Sequence, residues 1–134
     1  MGIILVAYDG SDLAKKALKK ADRIVRKEDE LILVHVIPTI IITEFADVPS
    51  DVTKAKAQEM MNEALNDLKG RGIQATGMVM EGDIADEIIK IGTDLDVDLI
   101  VVGEKGVSKV GRFALGSVAD KVMRYARKPV LLVK

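Results

Sequence analysis

Cysteine is absent from the 134 residues, which excludes disulfides, thiolate catalysis and cysteine-built metal sites. Tryptophan is absent too, and only two Tyr and two Phe are present. That is too few aromatic faces for a platform on which nucleic-acid bases stack. The single histidine, His35, forms no cluster that would hold a metal. Neither sign of charge dominates: 20 Lys and Arg face 21 Asp and Glu, for a net charge of −1. No basic field therefore recruits nucleic acid or an acidic membrane. Long hydrophobic runs are missing as well. The first apolar run, GIILVAY, is far shorter than the ~20 residues of a membrane span and has no basic flank of a signal segment. The expectation is one domain over residues 1–134, cytoplasmic, with neither nucleic acid nor membrane as partner.

What remains is a half-apolar chain (49% hydrophobic) in which strand and helix patterns alternate. IILVA (3–7), LILVHVI (31–37) and DLIVV (98–102) are continuous apolar runs, the mark of strands buried on both faces. IQATGMVM (73–80) alternates instead, as an outer strand does, and VLLV (130–133) follows Pro129 as a last strand. Helical spacing places Leu13, Ala14, Ala17, Leu18, Ala21, Ile24 and Val25 on one face behind Ser11, the expected N-cap. A second helix starts near Ser50 or Asp51, and Asp83 caps a third. A fourth carries Val118, Ala119, Val122, Met123 and Ala126 on one face.

Five strands alternating with four helices predict an α/β fold: a three-layer α/β/α sandwich around a parallel sheet. Right-handed crossovers cover both faces only if the winding reverses once. With 73–80 at an edge, the strand order is 3-2-1-4-5. Strands one and four then lie side by side, and a crevice opens beyond their carboxyl ends, where ligands of such sheets bind.

Two loops meet at that crevice: YDGS (8–11) and GEKGVSKVGRFALGS (103–117). Glycines let main-chain N–H groups approach an anion, and a helix N-terminus adds partial positive charge. A phosphate cradle is one reading; a tight turn with no ligand is the other. GRFALGSV lacks the lysine of a Walker loop, and no G-x-G-x-x-G is present. Ser117 heads an S-x-x-D capping pattern with Asp120. His35 is read as a hydrogen-bonded core residue. Lys109 and Arg112 lie inside the glycine segment, where they either neutralise phosphate or keep the loop soluble. The connection PTIIITEFADVP (38–49) packs over the sheet, joins a dimer contact or acts as a lid.

The spacing Gly103-x-x-Gly106, nine residues, then Gly116-Ser117 resembles the ATP-binding signature of the universal stress protein family. ILVAYDGSDLAKKAL resembles that family's first strand and loop, LVHVI its second strand, and GSVADKVMRYARKPVLLV its last helix and strand. The resemblance implies that Ala7, Tyr8 and Asp9 line the adenosine side, with Asp9 near the ribose or adenine. It implies that Val36 meets adenine through its backbone and that Val102 and Gly103 flank the ribose. Gly106, Gly116, Ser117 and Val118 would hold the phosphates of ATP, ADP or AMP, with Mg2+ or Mn2+ carried on those phosphates. It also implies a homodimer, and the apolar edge at 130–133 would be covered by it. The family often has a hydroxyl and then His or Arg between its first two glycines; here they are Glu104 and Lys105. A carboxylate there repels phosphate unless it points to solvent, pairs with Lys105 or holds the cation. The functional expectation is a nucleotide-dependent regulatory switch in the stress response with at most slow hydrolysis, acting on an unknown downstream protein. The alternatives are an ATP-cleaving α-hydrolase, whose S-G-G-x-D-S is replaced here by YDGSDL, and a dimeric scaffold that binds no nucleotide.

Overall fold

A computed structural model of the chain describes residues 2–39, 50–105 and 115–134. The elements are β1 (Ile3–Ala7), α1 (Asp12–Ile24), β2 (Glu30–Pro38), α2 (Ser50–Gly70), β3 (Ala75–Gly82), α3 (Ile84–Asp94), β4 (Leu99–Gly103), α4 (Ser117–Tyr125) and β5 (Val130–Val133). All four strand pairings are parallel, and the sheet order is β3-β2-β1-β4-β5, as the winding argument requires. The apolar runs occupy the centre because both of their faces are covered. Ile4, Val6, Leu31, Leu33 and Val101 pack against α1 and α2; Leu5, Ile32, Val34, Ile100 and Val102 pack against α3 and α4.

The caps decide where the helices begin. Ser11 Oγ accepts the Ala14 N–H at 3.1 Å, and Asp83 Oδ1 accepts the Asp86 N–H at 2.9 Å. Each satisfies a donor that the first turn leaves over. α1 buries Ala14, Ala17, Leu18 and Ala21; three small residues bring its axis close to the sheet.

β3 runs over 75–82 rather than the expected 73–80, and the end of α2 explains the shift. Gly72 has φ +79°, its N–H donates to Lys69 O at 3.0 Å, and the Ile73 N–H donates to Leu68 O at 2.9 Å. This is a Schellman ending. It takes up the Ile73 N–H, and the strand starts at Ala75, two residues later than expected. β3 does lie at an edge, yet both its faces are packed. Ala75 and Val79 face the α1/α2 side, while Met78 and Met80 face the α3/α4 side. Among the described residues, no helix is long and apolar enough to cross a membrane.

Candidate functional site

β1 and β4 are neighbours, and the chain leaves them in opposite directions: α1 covers one face and α4 the other. A hollow of about 380 Å³ lies beyond their carboxyl ends. Of the residues expected to form a site, Ala7, Tyr8, Asp9, Val36, Val102, Gly103, Gly116, Ser117 and Val118 all line it. Gly106 lies outside the described residues, as do Lys109, Arg112 and most of the 38–49 connection.

The turn after β1 is held by its own side chains. The Ser11 N–H donates to Asp9 Oδ1 at 2.9 Å, which orients the Asp9 carboxylate ahead of α1. Tyr8 is tied to β2 through its N–H, which donates to Val34 O at 2.8 Å. Its ring is buried on the α1/α2 side. Burial pushes the phenol above its ordinary value, and the carboxylates of Asp9, Asp67 and Glu63 add to the rise.

The glycines at the opposite wall have a packing reason. A Cβ on Gly116 would sit 2.9 Å from Glu104 O and 3.2 Å from Lys105 Cα, and both obstacles are main chain. A Cβ on Gly103 would sit 3.1 Å from Leu13 Cγ. The Gly116 N–H already donates to Glu104 O at 2.7 Å, closing the base of the loop that links β4 to α4. Gly116 is therefore the cap position of α4, with no side-chain hydrogen bond, and Ser117 is the first helical residue. The S-x-x-D pattern, the competing reading of Ser117, does not act as a cap: Asp120 accepts from Arg124 Nε at 2.9 Å, and its own N–H donates to Gly116 O. The N–H groups that the helix leaves without intrahelical acceptors are those of Ser117, Val118 and Ala119, and all three residues line the hollow. With the partial positive charge of a helix start, they are the anion-attracting part of the wall.

Glu104 lies 4.0 Å from Lys105 Nζ, the pairing that relieves repulsion between its carboxylate and an anion. Lys105 lines the hollow. Among the described residues there is no group of three His, Asp or Glu that could hold a metal ion. The opposite wall is apolar and was not anticipated as site: Ile84 and Ile88 of α3, with Pro38 at the end of β2. Periodicity marks both isoleucines as inward-facing, and only the sheet order shows that inward here means toward the hollow. His35 was expected in the core; it lines the hollow half-buried, with Nδ1 3.0 Å from Tyr8 O.

The model of the universal stress protein family matches residues 1–134. The universal stress protein YxiE of Bacillus subtilis is 33% identical over 144 residues, spanning 98% of this chain and 97% of that protein. The solved structure of the hypothetical protein MJ0577 has a TM-score of 0.88 and 32% identity over 99% of this chain and 95% of its own. A universal stress protein solved in complex with cAMP has a TM-score of 0.76 and 25% identity, over 98% of this chain and 95% of its own. With this sheet order and this match along its whole length, the chain belongs to the universal stress protein family.

Proposed function

We propose that residues 1–134 form a single adenine-nucleotide-binding regulatory domain that acts as a dimeric, cytoplasmic switch in the stress response. The observation that carries this reading is the hollow itself. Its floor and α3 wall are apolar enough for a base, the Asp9 carboxylate lines it where it would meet the ribose or adenine, and the first turn of α4 offers main-chain N–H groups that would meet a phosphate. The cAMP complex of a 25% identical relative supports the same ligand class. ATP, ADP and AMP are the candidate ligands, with Mg2+ or Mn2+ held on the phosphates where more than one is present.

A hydrogen bond to a charged group contributes roughly 1.5–3 kcal/mol. A few such bonds, less the cost of ordering, give micromolar affinity. Among the described residues of the hollow, Asp9, His35 and Lys105 are the ionisable groups besides the Tyr8 phenol. Asp9 accepts from its own turn and His35 is bound to a main-chain carbonyl, so hydrolysis is expected to be slow. Thermal unfolding with and without each nucleotide tests the reading. A ligand at 100 times its Kd adds about 2.7 kcal/mol and raises Tm by several degrees. No shift with millimolar ATP, ADP or AMP would leave the dimeric scaffold, which one observation favours: packing against the main chain already accounts for the bareness of Gly116.

The dimer is proposed to form through the free edge of β5. Pro129 O accepts from Ile100 N–H and Val133 O accepts from Glu104 N–H, each at 2.9 Å. The odd positions therefore face β4, and Val130 and Leu132 turn their N–H and C=O outward. Such an edge recruits another strand unless covered.

A further inference from the structure

We propose that the groove between α1 and α2 is a second binding site, separate from the hollow, for a small zwitterion with an aliphatic side chain: the chemistry of a free α-amino acid such as leucine. This site does not depend on the nucleotide reading. A buried hydroxyl without a partner and two rims of opposite charge carry it.

α3 and α4 pack against each other over one face of the sheet, whereas α1 and α2 stand apart over the other. The space between α1 and α2 is about 440 Å³, within the range of small-molecule sites. Two contacts fix how these parallel helices are levelled. At the upper end Met60 of α2 lies over the turn after β1: a Cβ on Gly10 would be 2.6 Å from Met60 Sδ. At the lower end Arg71 donates to Asp22 of α1 at 2.7 Å and to Asp67 of α2 at 3.1 Å. Between these ends α1 brings Lys15 and Lys19 to the groove, and α2 brings Glu63 and Asp67. The spacing of four places both members of each pair on one helix face. Among the described residues, no ion pair joins a lysine of one rim to a carboxylate of the other.

Leu18, Met60 and Ala64 form the floor beside the ring of Tyr8. Tyr8 is only 6% exposed, and its hydroxyl makes no hydrogen bond with the described residues. Among those residues, no side-chain N or O is both shut off from solvent and unpartnered. The hydroxyl therefore emerges at a surface. The ring packs on the α1/α2 side, and the phenol feels the carboxylates of Asp67 and Glu63, so that surface is the groove. A polar group so placed gains from any ligand that bonds to it. With Asp9, Asp67 and Glu63 around it, the fitting group is an ammonium, which donates to the Tyr8 oxygen and pairs with the α2 rim. Lys15 and Lys19 disfavour a bare cation and suit a carboxylate. A metal ion does not fit, because the acidic groups do not converge. Both demands are met by one zwitterion, and the apolar floor takes its side chain.

Calorimetric titration of the nucleotide-free chain with L-leucine, leucinamide and N-acetyl-L-leucine tests the site. Leucinamide lacks the carboxylate and N-acetyl-L-leucine lacks the ammonium. L-Leucine should bind with a Kd of about 1 mM or tighter. Each analogue should bind at least about tenfold more weakly, having lost a hydrogen bond to a charged group. Tyr8→Phe removes only a hydroxyl that bonds nothing in the fold, so Tm should stay near the wild-type value while L-leucine weakens about tenfold. Glu63→Gln, at an exposed position, probes the ammonium side without touching the core and should narrow the gap between L-leucine and N-acetyl-L-leucine. Tyr125→Phe leaves Tyr8 as the only tyrosine in a chain without tryptophan. Tyrosine fluorescence of that variant should change on adding L-leucine and saturate with the calorimetric Kd. Absence of L-leucine binding in the millimolar range, an analogue that binds as tightly as L-leucine, or Tyr8→Phe and Glu63→Gln variants that bind all three compounds as wild type does would overturn the proposal.

Discussion

At the residue scale, the glycines separate according to what a methyl group would meet. Gly116 faces Glu104 O and Lys105 Cα, which cannot rotate away. Gly116→Ala is therefore expected to cost about 1–3 kcal/mol in urea unfolding, as overpacking does, whatever ligand is present. Gly70, at the end of α2, has nothing within 4 Å of its missing Cβ. Gly70→Ala should be neutral or stabilise by up to about 1 kcal/mol, because it restricts the unfolded chain and suits a helix. A Gly116→Ala variant as stable as wild type would mean that the loop base is not packed as described. The sequence showed a cluster of glycines beside a strand end. It did not show that Gly116 has its N–H already bonded within the chain, because the acceptor, Glu104 O, lies 12 residues earlier and is reached only when the loop closes.

At the element scale, the helix starts divide into capped and uncapped. Ser11→Ala and Asp83→Ala each remove an observed cap and should each lower stability by about 1 kcal/mol. Ser117→Ala removes no cap bond and should stay within about 0.5 kcal/mol. Equal losses at all three positions would contradict the observed start of α4. Asp83 adds a pH dependence. The Asp86 N–H, and after it Lys121, hold its carboxyl below the ordinary aspartate value. A carboxyl with a lowered folded pKa stabilises the fold above its unfolded pKa, and that contribution disappears as pH falls through the folded one. The difference between wild type and Asp83→Ala should therefore shrink below about pH 4. Ser11 and Asp83 were legible because a cap is a local signal, made within three residues. Ser117 looked the same in sequence, yet the bond from Gly116 N–H to Glu104 moved the cap position one residue earlier.

At the scale of the whole molecule, the open question is what covers the edge of β5. Met123 and Tyr125 are exposed on the neighbouring α4, at 46% and 65%. If two copies join through β5, sedimentation should report twice the chain mass. Leu132→Pro removes an outward N–H and leaves the β4-facing positions in place. It should return the chain to a monomer with an unchanged circular dichroism spectrum. A wild-type monomer, or a proline variant that still pairs, would remove β5 as the interface.

The strand order was legible in the sequence because the alternating run at 73–80 suggested an outer strand and crossovers have one hand; the continuous run VLLV lies at the other edge, so run type alone did not place every strand. The place of the hollow followed from that order. Ile84, Ile88 and His35 became wall residues only in the tertiary structure. Periodicity can state which side of an element is buried, but a floor for a ligand and a core look alike until the neighbouring strand is seen to end.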